Sequence, residues 1–151
     1  MLTDKEISLI RSTKIGYIPQ GQSLLSNLTV IDNICLPHVF THNADDVKKR
    51  ALDLLVQLGI GELSDCYPNS LSGGERRRAV IARALINSPK IILADEPTSD
   101  LDRKNTKEVI EIFKNIAAQG TAVIMVTHEN DTQSYSDFVY ELNEGSLREI
   151  F

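Results

Sequence analysis

Two short apolar runs limit what this chain can fold into more than any other feature. They cover residues 91–94 and 122–127, and neither alternates with polar residues as a half-exposed strand does. A helical pattern lies between them and ends just before Gly120. Two such runs joined through a helix predict a βαβ unit in a buried parallel sheet, and hence an α/β fold. The residues expected on the buried face of that helix are Val109, Ile112, Phe113, Ile116 and Ala117.

Capping signals and periodicity predict the remaining elements. Thr3 and Glu6 form a T-x-x-E capping box that predicts a helix at the start of the chain. Apolar residues at helical spacing ahead of Gly59 predict an amphipathic helix on Ala51, Leu54, Leu55 and Leu58. The other predicted elements are a strand at 15–19, a helix at 28–36 stopped by Pro37, a helix at 72–87, and a hairpin of strands 138–142 and 146–150.

The composition is that of an ordinary soluble domain. Of its 151 residues, 42% are hydrophobic and 25% charged, so the chain can bury a core and disorder is not expected. Cys35 and Cys66 form no CxxC pair, and a reducing cytosol suits them best. No apolar run approaches the roughly 20 residues of a bilayer span, and the charged N-terminus is unlike a signal peptide.

The charge pattern gives little support to a nucleic-acid partner. The formal net charge is −5, and the candidate basic patch is residues 76–78 with Arg83 following. A basic patch on an acidic chain is a poor footprint for phosphates. We therefore expect these arginines to form a solvated helix face.

The segment Leu71-Ser72-Gly73-Gly74-Glu75 is the first candidate for chemistry. Ser72 and Glu75 have the spacing of a second capping box. Capping alone does not require two consecutive glycines, which cost helix propensity of about 1 kcal/mol each. Bare backbone at a helix N-terminus can also bind a phosphate. Plain capping and phosphate binding are both open on this segment alone.

Polar side chains follow three predicted strands. Asp95 and Glu96 end the first apolar run, His128 ends the second, and Gln20 ends the predicted strand near the N-terminus. Each taken alone is more often a cap or a hydrogen-bonded side chain. Ligands in open α/β sheets bind at the carboxyl ends of strands, where one carboxylate can hold Mg²⁺ and another can act on a water. Their convergence on one edge predicts a catalytic site.

In order and spacing, these segments resemble the motifs of the ABC-type ATPases. The matching segments are Gln20 for the Q-loop, Leu71–Glu75 for the signature motif, Ile91–Glu96 for the Walker B strand, Ser99–Asp102 for the D-loop and His128 for the H-loop. The resemblance covers essentially the whole chain. It is greatest to the ATP-binding subunits of lipoprotein-releasing, antimicrobial-peptide and macrolide exporters. It implies an incomplete three-layer P-loop NTPase core with an inserted helical subdomain.

The resemblance also implies roles for four of these residues, with ATP and Mg²⁺ as the cofactors. Asp95 would serve the Mg²⁺ sphere together with Gln20. Glu96 would orient or deprotonate the attacking water, and His128 would contact the γ-phosphate. Gln20 would in addition report the nucleotide state to the helical part of the chain. Such phosphoryl transfer depends on positioning and charge neutralisation.

A second set of residues would act on the ATP of another subunit. In the family two such domains sandwich two ATP molecules head to tail, so the partner is either a second copy or a second ABC ATPase subunit. The residues implied to face the partner's ATP are Ser72, Gly73, Gly74 and Glu75, and those implied to contact its site through the D-loop are Ser99, Asp100 and Asp102.

A phosphate loop of the form G-x-x-x-x-G-K-[ST] is absent from the sequence. The stretch from Gly16 to Ser23 approaches it, but Gln22 stands at the lysine position and Pro19 removes a backbone donor. We therefore do not interpret it as a Walker A motif, which in the family lies several dozen residues upstream. The isolated chain is expected not to hydrolyse ATP. An unpaired sheet edge or uncovered apolar face is also expected, and with it self-association.

The predicted organisation has three parts, and two other functions remain open. Residues 1–20 would end the N-terminal core part with the Q-loop strand, 21–75 would form the helical subdomain, and 76–151 the C-terminal part of a RecA-like core. The surface near residues 20–36 would meet an integral membrane permease, which places the chain in the cytoplasm on the inner face of the membrane. The alternatives are a soluble ABC ATPase acting on nucleic acid or ribosomes, and a non-enzymatic split fragment that complements a complete partner.

Overall fold

The computed structural model describes residues 2–21, 23–41 and 46–150. Its helices are α1 (Asp4–Lys14), α2 (Val30–Cys35), α3 (Val47–Gln57), α4 (Gly73–Leu85) and α5 (Arg103–Ala118). Its strands are β1 (Ile15–Ile18), β2 (Ile91–Asp95), β3 (Ala122–Val126), β4 (Tyr140–Asn143) and β5 (Ser146–Glu149). None of the helices in the described part of the chain is long and apolar enough to cross a bilayer.

The first three strands form one parallel sheet in the order β1-β2-β3. Tyr17 pairs with Leu93, and Leu93 pairs with Ile124, so the side chains of these three residues project from the same face. The predicted βαβ unit is confirmed, with α5 as the crossover between β2 and β3. All three strands therefore end at the same edge of the sheet.

Only one face of this sheet is covered. α4 and α5 pack on that face, where Ile18, Ile92 and Ala94 are buried. On the opposite face Tyr17, Ile124 and Val126 are 54%, 54% and 57% exposed. The parallel sheet expected to be buried is therefore buried on one side alone, because α4 and α5 lie on the same side, and the opposite side is the uncovered apolar face that was also expected. A continuous apolar run indicates that a strand can be buried, but it does not show which elements cover each side of the strand.

A second apolar cluster joins α2 and α3 to α4. α4 is shared between the clusters: Val80 and Ile81 pack towards the sheet, whereas Ala79 and Ala82 pack towards the helical part. The helix therefore ties the two parts of the chain together along its whole length. The division at residue 75 stays a prediction.

Two helix predictions needed correction. α2 begins after the Thr29 cap and ends at Cys35, but the chain continues through Pro37 as a 3₁₀ turn, Leu36–Thr41. Proline is tolerated there because the first N–H groups of a helical turn have no partner within it. In α5, Ala117 is exposed and Ile110 is buried in its place. Ile110 lies three residues before the buried Phe113 and so falls on the same side of the helix.

The predicted C-terminal hairpin is present but stands apart from the main sheet. β4 and β5 pair with each other in a separate two-stranded sheet whose residues are all exposed. Glu144 and Gly145 connect them with positive φ angles of 47° and 80°, as a tight type I′ turn requires. Both predicted capping boxes, Thr3–Glu6 and Ser72–Glu75, are also present.

Candidate functional site

The carboxyl edge of the parallel sheet collects the residues that the sequence placed at strand ends. Asp95 is the last residue of β2 and Glu96 follows it, while Gln20 and His128 each lie two residues past their strands. Gln20 is exposed and Asp95 is half-buried. The parallel topology therefore brings three separated segments to one edge, which is where α/β sheets place ligands.

Glu96 and His128 are in direct contact at this edge. The backbone N–H of His128 donates to Oε1 of Glu96 at 3.2 Å, and Nε2 of His128 lies 3.4 Å from the same oxygen. The Glu96 side chain is 10% exposed, whereas that of His128 is 96% exposed. The carboxylate is thus held inside the edge while the imidazole projects into solvent, where a ligand can reach it.

The backbone at Glu96 is strained. Its φ angle is +44°, a left-handed conformation that costs a residue with a side chain roughly 1–2 kcal/mol. The N–H of Glu96 donates to the carbonyl of Val126 at 2.9 Å, which fixes this turn to the end of β3. Strain that is held in place by its surroundings is typical of functional positions.

The donor set at this edge suits Mg²⁺ bound together with a nucleotide. Mg²⁺ prefers oxygen ligands and is usually held by one or two carboxylates plus phosphates and waters. Asp95 offers a carboxylate and Gln20 an amide oxygen. No three His, Cys, Asp or Glu side chains of the described residues are grouped to hold a metal alone. These residues fit a metal that arrives with phosphate ligands.

The signature segment forms the first turn of α4. Ser72 caps the helix: its backbone N–H donates to Oε2 of Glu75 at 2.8 Å, and the N–H of Glu75 donates to Oγ of Ser72 at 3.4 Å. The bond from the Ser72 backbone, together with one from the Ser72 side chain, holds the pKa of the Glu75 carboxyl below its usual value. The capping interpretation is therefore confirmed, and the binding role of this segment stays a prediction.

The two glycines of this turn have different surroundings. A Cβ on Gly74 would collide with the side-chain amide of Asn105 in α5, so this glycine is needed for close packing. A Cβ on Gly73 would make only ordinary contacts, at 3.8 Å to Leu101 and 4.0 Å to the Asp100 carbonyl. Gly73 is the exposed one of the pair, and it lies directly against residues 100–101.

The segment after Glu96 is organised by local hydrogen bonds. Oγ of Ser99 donates to the Glu96 carbonyl at 3.1 Å. Asp102 caps α5 by accepting from the N–H of Asn105 at 2.8 Å and from its amide at 3.0 Å. Both bonds lower the pKa of Asp102. The signature turn and residues 99–105 consequently form one continuous surface, which we call the signature surface.

The arginines of α4 correct another prediction. They do not form a solvated face: Arg77 is only 5% exposed, Arg78 pairs with Glu108 of α5 at 2.8 Å, and Arg83 bonds to Ser23. Burial lowers the pKa of Arg77, and the charge of Asp100 raises it. Sequence reasoning missed these roles because their partners lie far away along the chain.

The stretch that resembles a phosphate loop does not have the shape of one. Gly16 lies within strand β1, where a Cβ would stand 2.5 Å from the Ala84 carbonyl of α4. This glycine allows a strand and a helix to approach closely. The rejection of the stretch as a Walker A motif is consistent with this packing.

Fold and edge together define part of a P-loop NTPase core with an attached helical subdomain, the class predicted from the sequence. The family profile described as ABC transporter matches residues 2–99, and the chain belongs to that family. The motif resemblance is confirmed at this level.

Two relatives are named for export or release. The chain is 42% identical over 144 residues to the macrolide export ATP-binding/permease protein MacB of Chlorobaculum tepidum, covering 95% of this chain and 22% of MacB. It is 43% identical over 141 residues to the lipoprotein-releasing system ATP-binding protein LolD of Rickettsia bellii, covering 92% of this chain and 64% of LolD.

A solved relative has the same fold. The dimeric structure of MJ0796, a bacterial ABC transporter cassette, superimposes with a TM-score of 0.86 at 35% identity, covering 99% of this chain and 67% of that one. A second structure of MJ0796, a post-hydrolysis state bound to ADP and Pi, gives 0.84. The chain thus spans about a fifth of MacB and less than two thirds of LolD.

Proposed function

We propose that this chain is the signature-bearing part of the ATP-hydrolysing subunit of an ABC transporter that powers export. The observation that carries the proposal is the buried Glu96 carboxylate, held against His128 at the carboxyl edge beside Asp95. The printed names of the relatives, a macrolide exporter and a lipoprotein-releasing system, support the direction of transport.

Each residue at the edge has a distinct role in this proposal. When Mg·ATP is bound, it supplies the phosphoryl group and the metal that neutralises its charge. Glu96 orients the attacking water and accepts its proton, and His128 donates a hydrogen bond to the terminal phosphate. Asp95 and Gln20 provide oxygen ligands. The strained backbone at Glu96 keeps the carboxylate in place before the nucleotide arrives.

The signature surface acts on a nucleotide held by the partner subunit. The N–H of Ser72 is used by Glu75, so Ser72 presents its hydroxyl, and Gly73 presents its backbone N–H, at a helix N-terminus that favours a phosphate. Asp100 lies beside them, within 4.0 Å of the Cβ position of Gly73 through its carbonyl. The partner is a second copy or a second ABC ATPase subunit, in agreement with the dimeric solved cassette.

A permease would bind on the helical side of the chain. The exposed Leu25 lies on the segment after Gln20 and is fixed by two bonds to Asn33, at 2.7 and 3.0 Å. A rigid, exposed apolar residue beside the Gln20 segment suits a cytoplasmic helix of the permease. This arrangement puts the chain in the cytoplasm, peripheral to the membrane. With a net charge of −5, no nucleic-acid partner is proposed.

The first test is ATP hydrolysis by the isolated chain. Without a phosphate-loop lysine in the sequence, we expect no measurable release of phosphate from Mg·ATP. Turnover that survives purification and disappears in Glu96→Gln would contradict this expectation. A chimera with the phosphate-loop segment of a complete cassette fused ahead of Leu2 should hydrolyse ATP.

The second test uses two variants of that chimera. Glu96→Gln removes the proton acceptor, and Gly73→Asp adds a negative charge to the signature surface at a position where a Cβ makes only ordinary contacts. Each variant should be inactive alone, and mixing the two should restore part of the hydrolysis, because one site of the mixed dimer is then intact. Gln57→Glu, exposed on α3, adds a charge elsewhere and should stay active. A mixture that stays inactive although both variants fold would refute action on the partner's nucleotide.

A further inference from the structure

Two arginines of α4 hold both ends of the segment that carries Gln20. We call residues 19–21 and Ser23 the Gln20 loop. Nη1 of Arg77 donates to the carbonyl of Pro19 at 3.2 Å. Arg83 donates through Nη1 to the carbonyl of Ser23 and through Nη2 to its Oγ, both at 2.7 Å. The loop is therefore attached to one helix at its start and at its end.

Arg77 is buried and Arg83 is half-buried, whereas most arginines are exposed. Removal from water lowers the pKa of both guanidinium groups. A charge taken out of water needs hydrogen-bond partners in the protein, and the partners here are oxygen atoms of the Gln20 loop. Arg78, one residue along the helix from Arg77, instead pairs with Glu108 of α5. The loop is thus held by two particular side chains of the arginine cluster.

The spacing of the two attachments suits the loop. Six residues separate Arg77 from Arg83, which is about 9 Å along a helix axis. The chain from Pro19 to Ser23 can span at most about 14 Å. The loop can therefore run beside the helix with both Pro19 and Ser23 bonded to it.

β1 is fixed to the same helix. Gly16 approaches so closely that a Cβ there would stand 2.5 Å from the Ala84 carbonyl. Strand β1 and the Gln20 loop are therefore both in direct contact with α4. The helix begins at the signature turn, and Arg77 lies one turn after Ser72. A continuous path of backbone and hydrogen bonds connects Gln20 with the signature turn within one chain.

We propose that Arg77 and Arg83 are positioning residues that couple the Gln20 loop to the signature turn, so that a displacement at Gln20 is passed to Ser72 and Gly73. The proposal rests on the proposed function for its meaning in the ATP cycle. The coupling itself is a property of this chain without nucleotide. A chain that never binds ATP could still show it, and the two proposals can therefore fail separately.

The test is a double-mutant cycle read by amide hydrogen exchange on the full chain. Gly21 has a φ of +72° and open space around its Cβ position, so Gly21→Ala strains the loop without a clash. In the parent chain this substitution should speed exchange at residues 72–76 roughly threefold to tenfold, the size of effect typical of coupled sites. In an Arg77→Gln background the same substitution should leave exchange at 72–76 unchanged while still altering the loop.

The control and the rescue separate coupling from simple loss of stability. Arg78→Gln removes a neighbouring arginine that does not contact the loop, and it should preserve the response to Gly21→Ala. Arg77→Lys keeps a charged donor for the Pro19 carbonyl and should restore the response. The lysine of Arg83→Lys can replace only one of the two bonds to Ser23. The response of residues 72–76 to Gly21→Ala should therefore be smaller in this variant than in the parent.

Additive effects of Gly21→Ala and Arg77→Gln on residues 72–76 would overturn the proposal, because a merely stabilising arginine gives additive effects. A response that persists in the Arg77→Gln/Arg83→Gln chain would overturn it as well. If the glutamine variants do not fold, as judged by circular dichroism, the lysine variants decide. If Gly21→Ala then changes exchange at residues 72–76 in Arg77→Lys and in Arg83→Lys as much as in the parent, coupling through the two arginines is excluded.

Discussion

Oε1 of Glu96 accepts the backbone N–H of His128 at 3.2 Å and lies 3.4 Å from the Nε2 of the same residue. One oxygen therefore holds both the backbone and the ring of the neighbouring strand end. Because the carboxylate is buried and the ring is exposed, Glu96 sets the position of His128, and His128 contributes little to the position of Glu96.

This asymmetry predicts different effects of substitution at the two residues. Glu96→Ala should speed amide exchange at His128, because its N–H loses the acceptor. Glu96→Gln should change it less, since the amide oxygen can accept the same bond. His128→Ala should alter the free energy of unfolding by no more than about 0.5 kcal/mol, as is usual for exposed side chains. Equal exchange at residue 128 in Glu96→Ala and Glu96→Gln would show that the carboxylate does not hold the strand end.

The two signature glycines should respond differently to alanine. Gly74→Ala places a Cβ against the side chain of Asn105, which is itself bonded to Asp102, and we expect a loss of about 1–3 kcal/mol in stability from overpacking. Gly73→Ala meets only ordinary contacts and should be neutral or stabilise the helix by up to about 1 kcal/mol. Urea unfolding measures both. Adding Asn105→Ala to Gly74→Ala should recover part of the lost stability. If none is recovered, the strain in Gly74→Ala does not come from the contact with Asn105.

The capping box of α4 should make stability depend on pH. The pKa of Glu75 is lowered in the folded chain by its bonds to Ser72, so its contribution is complete above the unfolded pKa and is lost as the pH falls through the folded one. The stability difference between the parent and Glu75→Ala should therefore be largest at neutral pH and should close below pH ~4. The carboxylates of Glu6 and Asp102 are present in both chains and cancel. A difference that stays constant from pH 7 to pH 3 would contradict the capping bond.

The open face of the sheet should cause self-association. Tyr17, Ile124 and Val126 expose apolar surface on one side of the three strands, and such patches favour association. We expect light scattering to show a mass above that of the monomer that rises with concentration. Replacing Ile124 and Val126 by lysine should restore the monomer, because both side chains already face solvent and the fold is retained.

Val56→Lys provides the control for that experiment. Val56 is even more exposed, at 68%, but it lies on α3, away from the sheet. The variant should associate as the parent does. A parent chain that is a clean monomer at high concentration would contradict the prediction, as would loss of association in Val56→Lys.

Helix starts and the parallel βαβ unit could be read from the sequence because their causes are local. A capping box acts over three residues, as Ser72 and Glu75 show, and helical periodicity repeats within one or two turns. The convergence of Gln20, Glu96 and His128 was also accessible, since parallel strands must end at the same edge. Their binding and catalytic roles remain predictions.

The tertiary structure alone decided which face of the parallel sheet is covered and what the long side chains contact. Arg77 and Arg83 bond to residues 58 and 60 positions away, and Gly74 packs against a helix that begins 29 residues later. No local pattern encodes such partners, because a buried charge and a close backbone approach depend on how elements meet in space. The sequence determined the elements and their edge residues; packing determined that Arg77 and Arg83 bond to the Gln20 loop and which face of the sheet is open.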